Sequence, residues 1–543
     1  MGIFVNQIGY GTEASKKVIY TGNEKEYIMK KVHDGEVVFR GSFGEEKNDS
    51  SSGDLTRCGD FTAYKEEGLF QIEVQGECSL PFEISNKRYK KALDASLKAF
   101  YYQRCGIELE EKYAGLWKHA ACHLQKSYLY HPKGEELLLS NPSELVEIDT
   151  SGGWHDAGDY GRYVVAAAKA IADLLYAYLH FEKAFQEPIG IPESNVVGSD
   201  LLHEVKVELE WMFKMQREDG AVYTKVATRF FPGMIMPEED TEPLFVFDVS
   251  TPATADFAAA MALASRSYQG IDQDLSERCL KAARKAYQWL MISEQQLFTN
   301  PENINSGEYG DQTDLDERFW AAAELYETTG EEFYHNEFCK HYEEIEDVLS
   351  LGWADVGGYG SLCYITSKRP VNAIILEDLT KRWLAYAKQL QERSEEDGYG
   401  VSLKTEEYIW GSNMVLLNQT MVLIVANQLL QSSIYDVSIY ANIDYLFGKN
   451  PMNISYVSGM GTKSIQEPHH RPSVADEVSE PVPGLVSGGP CQGLYDDAAK
   501  AACQNQAPAK CFVDHLDSYS TNEITIYWNS PLVYVLAYLD VKE

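Results

Sequence analysis

The chain has 543 residues, of which 44% are hydrophobic and 24% are charged, and its formal net charge is −36 at pH 7. A chain of this length and composition is expected to form at least two globular units. The negative charge disfavours nucleic acids and anionic membranes as partners, because both would repel it. No run of 18 or more apolar residues occurs, so the sequence predicts no membrane-spanning helix.

The N-terminus and the cysteines bear on location. The first residues enter a strand-like run directly, without the basic segment and apolar stretch of a secretory signal. Ten cysteines are too few for a disulfide scaffold in a chain of this length. We therefore predict a reducing, cytoplasmic location, or a secreted protein if a signal peptide has been removed.

Residues 1 to about 86 are predicted to form a small β-sandwich. Phe70, Ile72 and Val74 alternate with polar neighbours, as in a half-buried strand. The other predicted strands are equally short and are separated by turn residues. The predicted strands cover residues 3–10, 17–21, 27–32, 36–41 and 69–75.

From about Tyr89 onward the apolar residues follow a helical period, and hardly any strand pattern remains. We expect ten to twelve helices joined by long loops, including the Gly- and Pro-rich stretch 448–512. Loops of that length in a compact domain usually carry function. This pattern favours an α-helical toroid with its site built from loops at one end. The predicted helices lie near 162–182, 202–212, 252–268, 275–292, 316–329, 331–349, 372–393, 412–431, 433–447 and 523–540.

Two carboxylates three residues apart, Asp156 and Asp159, lie among small and aromatic residues just before the helix near 162. Taken alone, Asp159 is equally typical of a helix N-cap. A second segment places Glu523 at the start of an aromatic-rich helix, with Asp514 upstream. An acidic side chain there also favours the positive end of the helix dipole.

A third segment runs from Ser455 to Arg471 and ends in Pro468-His469-His470-Arg471. These basic side chains in a Gly- and Pro-rich loop are compatible with a solvated surface cluster. They are equally compatible with hydrogen-bond donors that converge on a hydroxyl-rich ligand.

Together these segments resemble glycoside hydrolase family 9, a cellulase family with an (α/α)6 barrel. Both long signatures of the family run through without a gap, from Ser455 to Arg471 and from Phe512 to Ser530. The Asp156-Ala157-Gly158-Asp159 element matches as well. Val5-Asn6-Gln7-Ile8-Gly9-Tyr10 resembles the opening of the immunoglobulin-like domain found in one branch of the family. The resemblance implies a mainly α fold, with an immunoglobulin-like β-sandwich at 1–86 and an (α/α)6-barrel domain at 87–543.

The resemblance also implies the roles of the site residues. Asp159 would be the general base, Asp156 would help to hold the water, and Glu523 would be the general acid of an inverting glycoside hydrolase. Such a mechanism needs the two carboxyl groups about 6.5–9.5 Å apart, so that water fits between base and sugar. The implied substrate-binding residues are His469, Arg471, Asp514, Trp410, Tyr408 and Tyr519. For any single aromatic among them, core packing is the alternative.

Cys105, Cys122, His123 and His155 form a possible Cys2His2 set, whose ligands suit tetrahedral Zn²⁺ in a closed, structural site. The spacing is not that of a zinc finger, and two buried thiols with two incidental histidines are the alternative. The resembling family branch carries zinc at matching positions. For calcium, His203 stands where the family often has Asp, so an oxygen ligand is missing, although Asp200 and Glu204 remain.

The predicted activity is hydrolysis of β-1,4-glucosidic bonds in glucan chains or cello-oligosaccharides, soluble ones above all. Neither a secretion signal nor an additional binding module is recognised, which favours small imported sugars as substrates. An exo-β-D-glucosaminidase acting on chitosan oligosaccharides is the alternative enzyme. A non-catalytic carbohydrate-binding protein on the same scaffold is a third reading, which the presence of Asp159 and Glu523 disfavours. The sequence predicts no oligomeric state.

Overall fold

The computed structural model describes residues 2–543, which form two compact units. The first unit comprises the residues up to Ala99 together with Trp383–Glu543, and the second unit comprises Phe100–Arg382. The predicted domain boundary after residue 86 follows the last strand of the N-terminal β region and stays a prediction.

The N-terminal β region consists of two small sheets, as predicted. One sheet has the strand order β1-β2-β6-β5; the other has the order β4-β3-β7-β8, with β9 paired to β7. Strand β6 was not predicted, because its polar residues and glycine give no strand pattern. The strands are β1 Ile3–Phe4, β2 Lys17–Tyr20, β3 Glu26–Lys31, β4 Val37–Ser42, β5 Lys47–Asn48, β6 Leu55–Asp60, β7 Gly68–Val74, β8 Glu77–Cys78 and β9 Phe82–Ile84.

The core of this region is formed by every second residue along the strands. Phe70, Ile72 and Val74 of β7 are buried while their neighbours are more exposed, which confirms the prediction of a half-buried strand. They pack in one apolar cluster with Tyr27 and Met29 of β3. Aromatic and branched side chains thus fill the space between the two sheets.

Seventeen α-helices follow within residues 2–543, more than predicted because several have fewer than eight residues. The first eleven are α1 Lys90–Tyr102, α2 Glu111–Ala114, α3 Gly134–Ser140, α4 Val164–Phe181, α5 Asp200–Met215, α6 Thr251–Tyr268, α7 Gln273–Ile292, α8 Leu315–Thr329, α9 Glu332–Tyr342, α10 Gly357–Ile365 and α11 Ala373–Glu396. The remainder are α12 Ser412–Leu430, α13 Asp436–Leu446, α14 Arg471–Ala475, α15 Asp497–Cys503, α16 Tyr519–Asn522 and α17 Ile526–Lys542.

Helix α6 lies at the centre of the second unit and packs against α4, α7 and α8. Its start is encoded locally, because the Ser250 hydroxyl accepts a hydrogen bond from Ala253 N at 3.2 Å and Pro252 occupies the first turn. Nearly every residue of α6 is buried, as expected for a helix surrounded by other helices.

The second unit also contains a five-stranded sheet, so the prediction of almost no strand after residue 86 was wrong here. The strand order is β11-β10-β14-β13-β12, and only the β10–β14 pair is parallel. Strands of two or three residues are too short to show a period of two in the sequence. These strands are β10 Ser127–Leu129, β11 Glu147–Ile148, β12 Arg162–Tyr163, β13 Lys225–Ala227 and β14 Leu244–Val246.

Two segments, Val164–Phe185 and Ser412–Leu430, are long and apolar enough to cross a membrane. Most of their residues are buried inside the protein. The core helices of globular domains have the same length and composition, so these two helices are weak evidence for a membrane span.

Candidate active site and metal centre

The segment that carries Asp156 and Asp159 is an irregular turn fastened at both ends. Cys105 N donates to Gly153 O at 2.8 Å, and His155 N donates to Gln103 O at 2.7 Å, so the turn pairs with the residues that follow α1. Helix α4 begins only at Val164. The alternative reading of Asp159 as the cap of this helix is therefore wrong.

Asp156 lies at the base of the turn and is buried. Its amide donates to Gly161 O at 2.9 Å, and its Oδ2 accepts a hydrogen bond from the Tyr309 hydroxyl at 2.6 Å. Burial raises the pKa of Asp156 well above its usual range, and the charge of Asp159 acts in the same direction. Tyr309 was not predicted, because it lies in a loop 153 residues further along the chain and no local pattern marks it.

Asp159 is also buried, but its environment is different. Its Oδ2 accepts a hydrogen bond from Gly161 N at 3.0 Å. The ammonium group of Lys225 lies near enough for its charge to interact with the Asp159 carboxylate. Asp156 is thus bonded to a phenol and Asp159 to a backbone amide, so the two carboxyl groups are not chemically equivalent.

Lys225 is a second residue that the sequence analysis missed. It is fully buried in β13 opposite Tyr163 of β12. Its Nζ donates to Asn300 Oδ1 at 2.6 Å and to Gly307 O at 2.5 Å. Burial lowers its pKa to about 7, whereas the Asp159 carboxylate favours the charged form. Lys225 therefore fastens the loop that leads to Tyr309.

The four predicted metal ligands converge in the second unit. One donor atom each from Cys105, Cys122, His123 and His155 lies within 4.8 Å of the others, and all four residues are buried. His155 Nε2 and His123 Nδ1 are 3.2 Å apart. Two imidazole nitrogens bound to one tetrahedral Zn²⁺ at about 2.0–2.1 Å would lie roughly 3.3 Å apart. The donor set and its spacing therefore fit zinc.

The surroundings of the cluster agree with metal binding. His123 Nε2 lies 3.3 Å from Asp240 Oδ2, the contact that commonly orients a ligating imidazole. Burial lowers the pKa of His155 to about 4, so its ring is neutral, as a ligand must be. The Tyr160 ring packs against both imidazoles, with centroids 5.2 and 4.9 Å away. His155 and Tyr160 are the immediate neighbours of Asp156 and Asp159.

The residues left for calcium do not fit a cation. Both carboxylate oxygens of Glu204 accept hydrogen bonds from the Arg104 guanidinium, at 2.8 to 3.2 Å. Asp200 Oδ2 accepts from Ile189 N at 2.7 Å and from the Ser194 hydroxyl at 2.5 Å. The Arg104 guanidinium thus neutralises the Glu204 carboxylate, which, like His203 in place of an oxygen ligand, disfavours calcium at this position.

In the first unit, Glu523 lies in extended backbone between α16 and α17. Helix α17 begins at Ile526 and is capped by the Thr525 hydroxyl, which accepts from Trp528 N at 3.1 Å. The prediction that Glu523 opens this helix was therefore wrong. Its carbonyl instead accepts a hydrogen bond from Gly488 N at 2.9 Å.

His469 pairs with Glu523 as neighbouring strand residues would, because His469 N donates to Asn522 O at 2.9 Å. The His469 ring donates through Nδ1 to Leu516 O at 2.5 Å, which fixes its orientation. Arg471 opens α14 and is almost completely buried. The structure thus brings His469 and Glu523 together.

Asp514 binds the protein itself. Its Oδ2 accepts from Gln466 N at 2.7 Å, and its Oδ1 accepts from Glu467 N at 2.9 Å and Asn522 Nδ2 at 2.8 Å. These bonds join the segment before His469 to the residue before Glu523. The contacts favour a positioning role over the predicted direct contact with substrate.

The predicted aromatic residues divide into two groups. Trp410 and Tyr519 lie with ring centroids 5.3 Å apart, and Trp410 is 41% exposed. Tyr495, which was not predicted, lies 6.2 Å from Trp410. Tyr408 is only 1% exposed. Its prediction as a substrate-binding residue is corrected to core packing, since a buried ring has no face available to a ligand.

Comparison with known proteins identifies the family that the chain matches. Residues 89–536 match the model of Glycosyl hydrolase family 9, and residues 1–79 match the model of the cellulase N-terminal ig-like domain. The chain is 40% identical to a cellodextrinase of Butyrivibrio fibrisolvens over 562 residues, which cover 98% of this chain and 99% of that protein.

Solved structures agree over the whole length. AaCel9A in complex with cellobiose-like isofagomine has a TM-score of 0.92 at 36% identity and covers 100% of both chains. A Zn-binding triple mutant of a family 9 endoglucanase has a TM-score of 0.90 at 32% identity, over 97% of this chain and 99% of that chain. These matches confirm the predicted fold class, a mainly α chain with an (α/α)6 barrel preceded by an immunoglobulin-like β-sandwich.

Proposed function

Since the chain belongs to glycosyl hydrolase family 9 and is a glycoside hydrolase acting on β-1,4-glucans, we propose that it cleaves its substrate with inversion of configuration. In this proposal Asp159 is the general base and Glu523 is the general acid. Asp159 takes a proton from the water whose oxygen bonds to the anomeric carbon. Glu523 gives a proton to the glycosidic oxygen as its bond to that carbon breaks.

The observation that carries this assignment is the unequal environment of the two carboxyl groups in the turn. Asp156 is buried against the Tyr309 hydroxyl, and its raised pKa favours the protonated form. Asp159 instead accepts a hydrogen bond from Gly161 N at 3.0 Å and has the Lys225 side chain as a neighbour. We propose that Asp156 holds the attacking water while Asp159 deprotonates it.

The proposed acid has a different kind of support. A general acid must keep a fixed direction toward the leaving oxygen. The backbone of Glu523 is held by Gly488 and lies beside His469, whose ring is itself oriented by Leu516. We propose that His469 and Arg471 bind sugar hydroxyls and that Trp410 and Tyr519 stack on sugar rings. Asp514 would position the segments that carry His469 and Glu523.

Product analysis tests both the mechanism and the substrate. Anomer-resolved NMR during hydrolysis of cellohexaose should show the α-anomer as the first product, because inversion converts a β-linkage into an α-hydroxyl. A retained β-anomer would contradict the inverting mechanism. Faster hydrolysis of chitosan hexamer than of cellohexaose would favour the alternative exo-β-D-glucosaminidase activity.

We propose that Cys105, Cys122, His123 and His155 hold one structural Zn²⁺. Four protein ligands leave no open position on a tetrahedral ion, which favours a structural role over a catalytic one. The Zn-binding variant of a related endoglucanase supports zinc as the ion in this proposal. Bound at this cluster, the ion would brace the turn that carries both Asp156 and Asp159.

We also propose soluble oligosaccharides as physiological substrates and a cytoplasmic location. The described cysteines are all free, which suits a reducing compartment, and one relative is a cellodextrinase. The specific rate on cellotetraose should exceed that on carboxymethyl-cellulose. Rapid loss of polymer viscosity with poor turnover of the tetramer would contradict the substrate proposal, and recovery of the native protein in the culture medium would contradict the location.

A further inference from the structure

A cavity of about 820 Å³ in the first unit is partly lined by Tyr519, one of the predicted sugar-stacking residues, but mostly by residues that no prediction included. This volume is within the usual range for sites that bind small ligands. The walls come from α15 and its preceding residues on one side and from residues 513–519 on the other. The lining includes Tyr495, Asp497, Val513, His515, Asp517 and Tyr519.

The cavity walls are held in place by hydrogen bonds. The Tyr519 hydroxyl donates to Tyr495 O at 2.9 Å. The buried Asp496 accepts from Ala499 N at 2.6 Å, which caps α15, and from Ser520 N at 2.9 Å in α16. One carboxylate thus joins the two walls. A cavity fixed before binding loses little conformational entropy when a ligand enters.

The aromatic side of the cavity is continuous with the proposed sugar platform. Trp410 lies 5.3 Å from Tyr519 and 6.2 Å from Tyr495, measured between ring centroids. Tyr495 is 56% exposed, which leaves much of its ring accessible to a ligand. Neighbouring exposed aromatic rings are typical of a ligand-binding surface.

The polar side of the cavity is acidic and disfavours negatively charged ligands. Asp497 and Asp517 are exposed on its rim, and the residues that line the cavity, all of them described, include no Lys or Arg. Carboxylates accept hydrogen bonds from hydroxyl groups and repel anions. The lining therefore suits a hydroxyl-rich ligand that has apolar faces and carries no negative charge.

We propose that this cavity binds glucosyl units of the β-1,4-glucan chain that extend beyond the Trp410–Tyr519 pair, with Tyr495 stacking on a sugar ring and Asp517 accepting from its hydroxyls. The inference rests on the proposed function and adds a part of the substrate that the predicted residues do not reach. A chain too short to span both the cleaved bond and Tyr495 gains nothing from the cavity.

The length dependence of the reaction tests this assignment. The ratio of kcat/KM on cellohexaose to kcat/KM on cellotriose should fall about tenfold in Tyr495→Ala, because only the longer chain loses a stacking contact. Tyr495→Phe keeps the ring and should keep the ratio. Phe333→Ala, which removes another exposed ring in the second unit, is the matched control and should leave the ratio unchanged.

The outcomes distinguish failure of the cavity assignment from failure of the proposed function. If wild-type protein hydrolyses glucans but the ratio is unchanged in Tyr495→Ala, the cavity does not bind substrate. If wild-type protein hydrolyses no glucan, the proposed function fails, and calorimetric titration with cellohexaose then tests the cavity alone. Binding that weakens about tenfold in Tyr495→Ala supports it, and absent or unchanged binding overturns it. Tighter binding of chitosan hexamer overturns the assignment of a neutral glucan.

Discussion

The two segments that carry the proposed base and acid are held in place by different means. Besides its backbone hydrogen bonds, the turn at Asp156 and Asp159 is held by side chains, namely the Cys/His cluster, the Tyr160 ring and the Tyr309 hydroxyl. The segment at Glu523 accepts backbone hydrogen bonds from Gly488 N and His469 N, and the Asn522 side chain adds one bond to Asp514. The base should therefore be sensitive to metal supply and to side-chain substitutions at a distance, whereas the acid should be sensitive to local backbone geometry.

The largest effect should come from the carboxyl groups themselves. Asp159→Asn and Glu523→Gln should each lower kcat by roughly 10²-fold or more, because each removes one proton transfer. Thermal unfolding should change little, since each replacement conserves shape. Asp274→Asn and Glu13→Gln, both at exposed positions, are the matched controls. Near wild-type turnover in either active-site variant would show that the assignment is mistaken.

Loss of the metal cluster should affect one region and spare the other. Cys105→Ser or chelation should lower the unfolding temperature by roughly 5 °C or more, since a structural ion contributes directly to folding. Hydrogen exchange should accelerate in residues 153–163 and stay unchanged in residues 518–526. Cys279→Ser, also buried but outside the cluster, controls for burying a hydroxyl.

Elemental analysis decides the identity of the ion in the same samples. Protein purified without chelator should contain one zinc per chain. Absence of zinc would refute the proposed centre. Full thermal stability with abolished turnover in metal-free protein would instead make the metal catalytic.

Substitution of Lys225 tests whether the loop that carries Tyr309 positions Asp156. Lys225→Met should lower kcat about tenfold, because the loop bonded to Lys225 at Asn300 and Gly307 would no longer hold Tyr309 against Asp156. Tyr309→Phe should have a similar effect. If Lys225 acts through Tyr309, the double variant should be no slower than the worse single variant. Fully additive losses would show that the two residues act independently.

Lys206→Met is the control for removing a lysine from the same unit. Lys206 is partly exposed and pairs with Asp272 at 2.6 Å. Its replacement should leave kcat unchanged. A comparable loss in this control would trace the effect of Lys225→Met to general destabilisation.

The smallest effect should come from Asp514 in the acid region. Asp514→Asn keeps one acceptor oxygen for Gln466, Glu467 or Asn522, but its amide group cannot accept all three bonds. We expect kcat to fall only a few-fold, through displacement of Glu523, with KM nearly constant. A large rise in KM with unchanged kcat would indicate that Asp514 binds substrate directly, as the sequence analysis expected.

The sequence predicted what depends on long motifs and on periodic segments. The strand β7, the long helices, and the Cys/His residues that converge in the structure all have patterns that a single sequence displays or that the family resemblance supplies. Tyr408 and Trp410 show the limit of prediction from such motifs. They lie two residues apart in one motif, yet one ring is buried and the other exposed, and only the packing of distant residues decides which.

Contacts between remote segments could not be predicted. Lys225 has no distinguishing sequence pattern around it, and its role depends on two loop residues about 80 positions further on. The strands β10 to β14 are too short for a periodic pattern, and each exists only because a distant partner satisfies its backbone. Glu523 was placed in a helix because the apolar pattern begins there, whereas Thr525 is the residue that caps it.

The pairing in the five-stranded sheet affects the order in which parts of the structure can form during synthesis. Strand β12 follows Asp159 almost directly, but it pairs with β13, and β13 pairs in turn with β14. A growing chain therefore cannot complete the sheet beside the Asp159 turn until Val246 has left the ribosome, and Tyr309 emerges later still. Domains fold as units during synthesis, and contacts of long sequence separation form late. The proposed base is thus one of the first catalytic groups to be synthesised, although its surroundings are completed only much later.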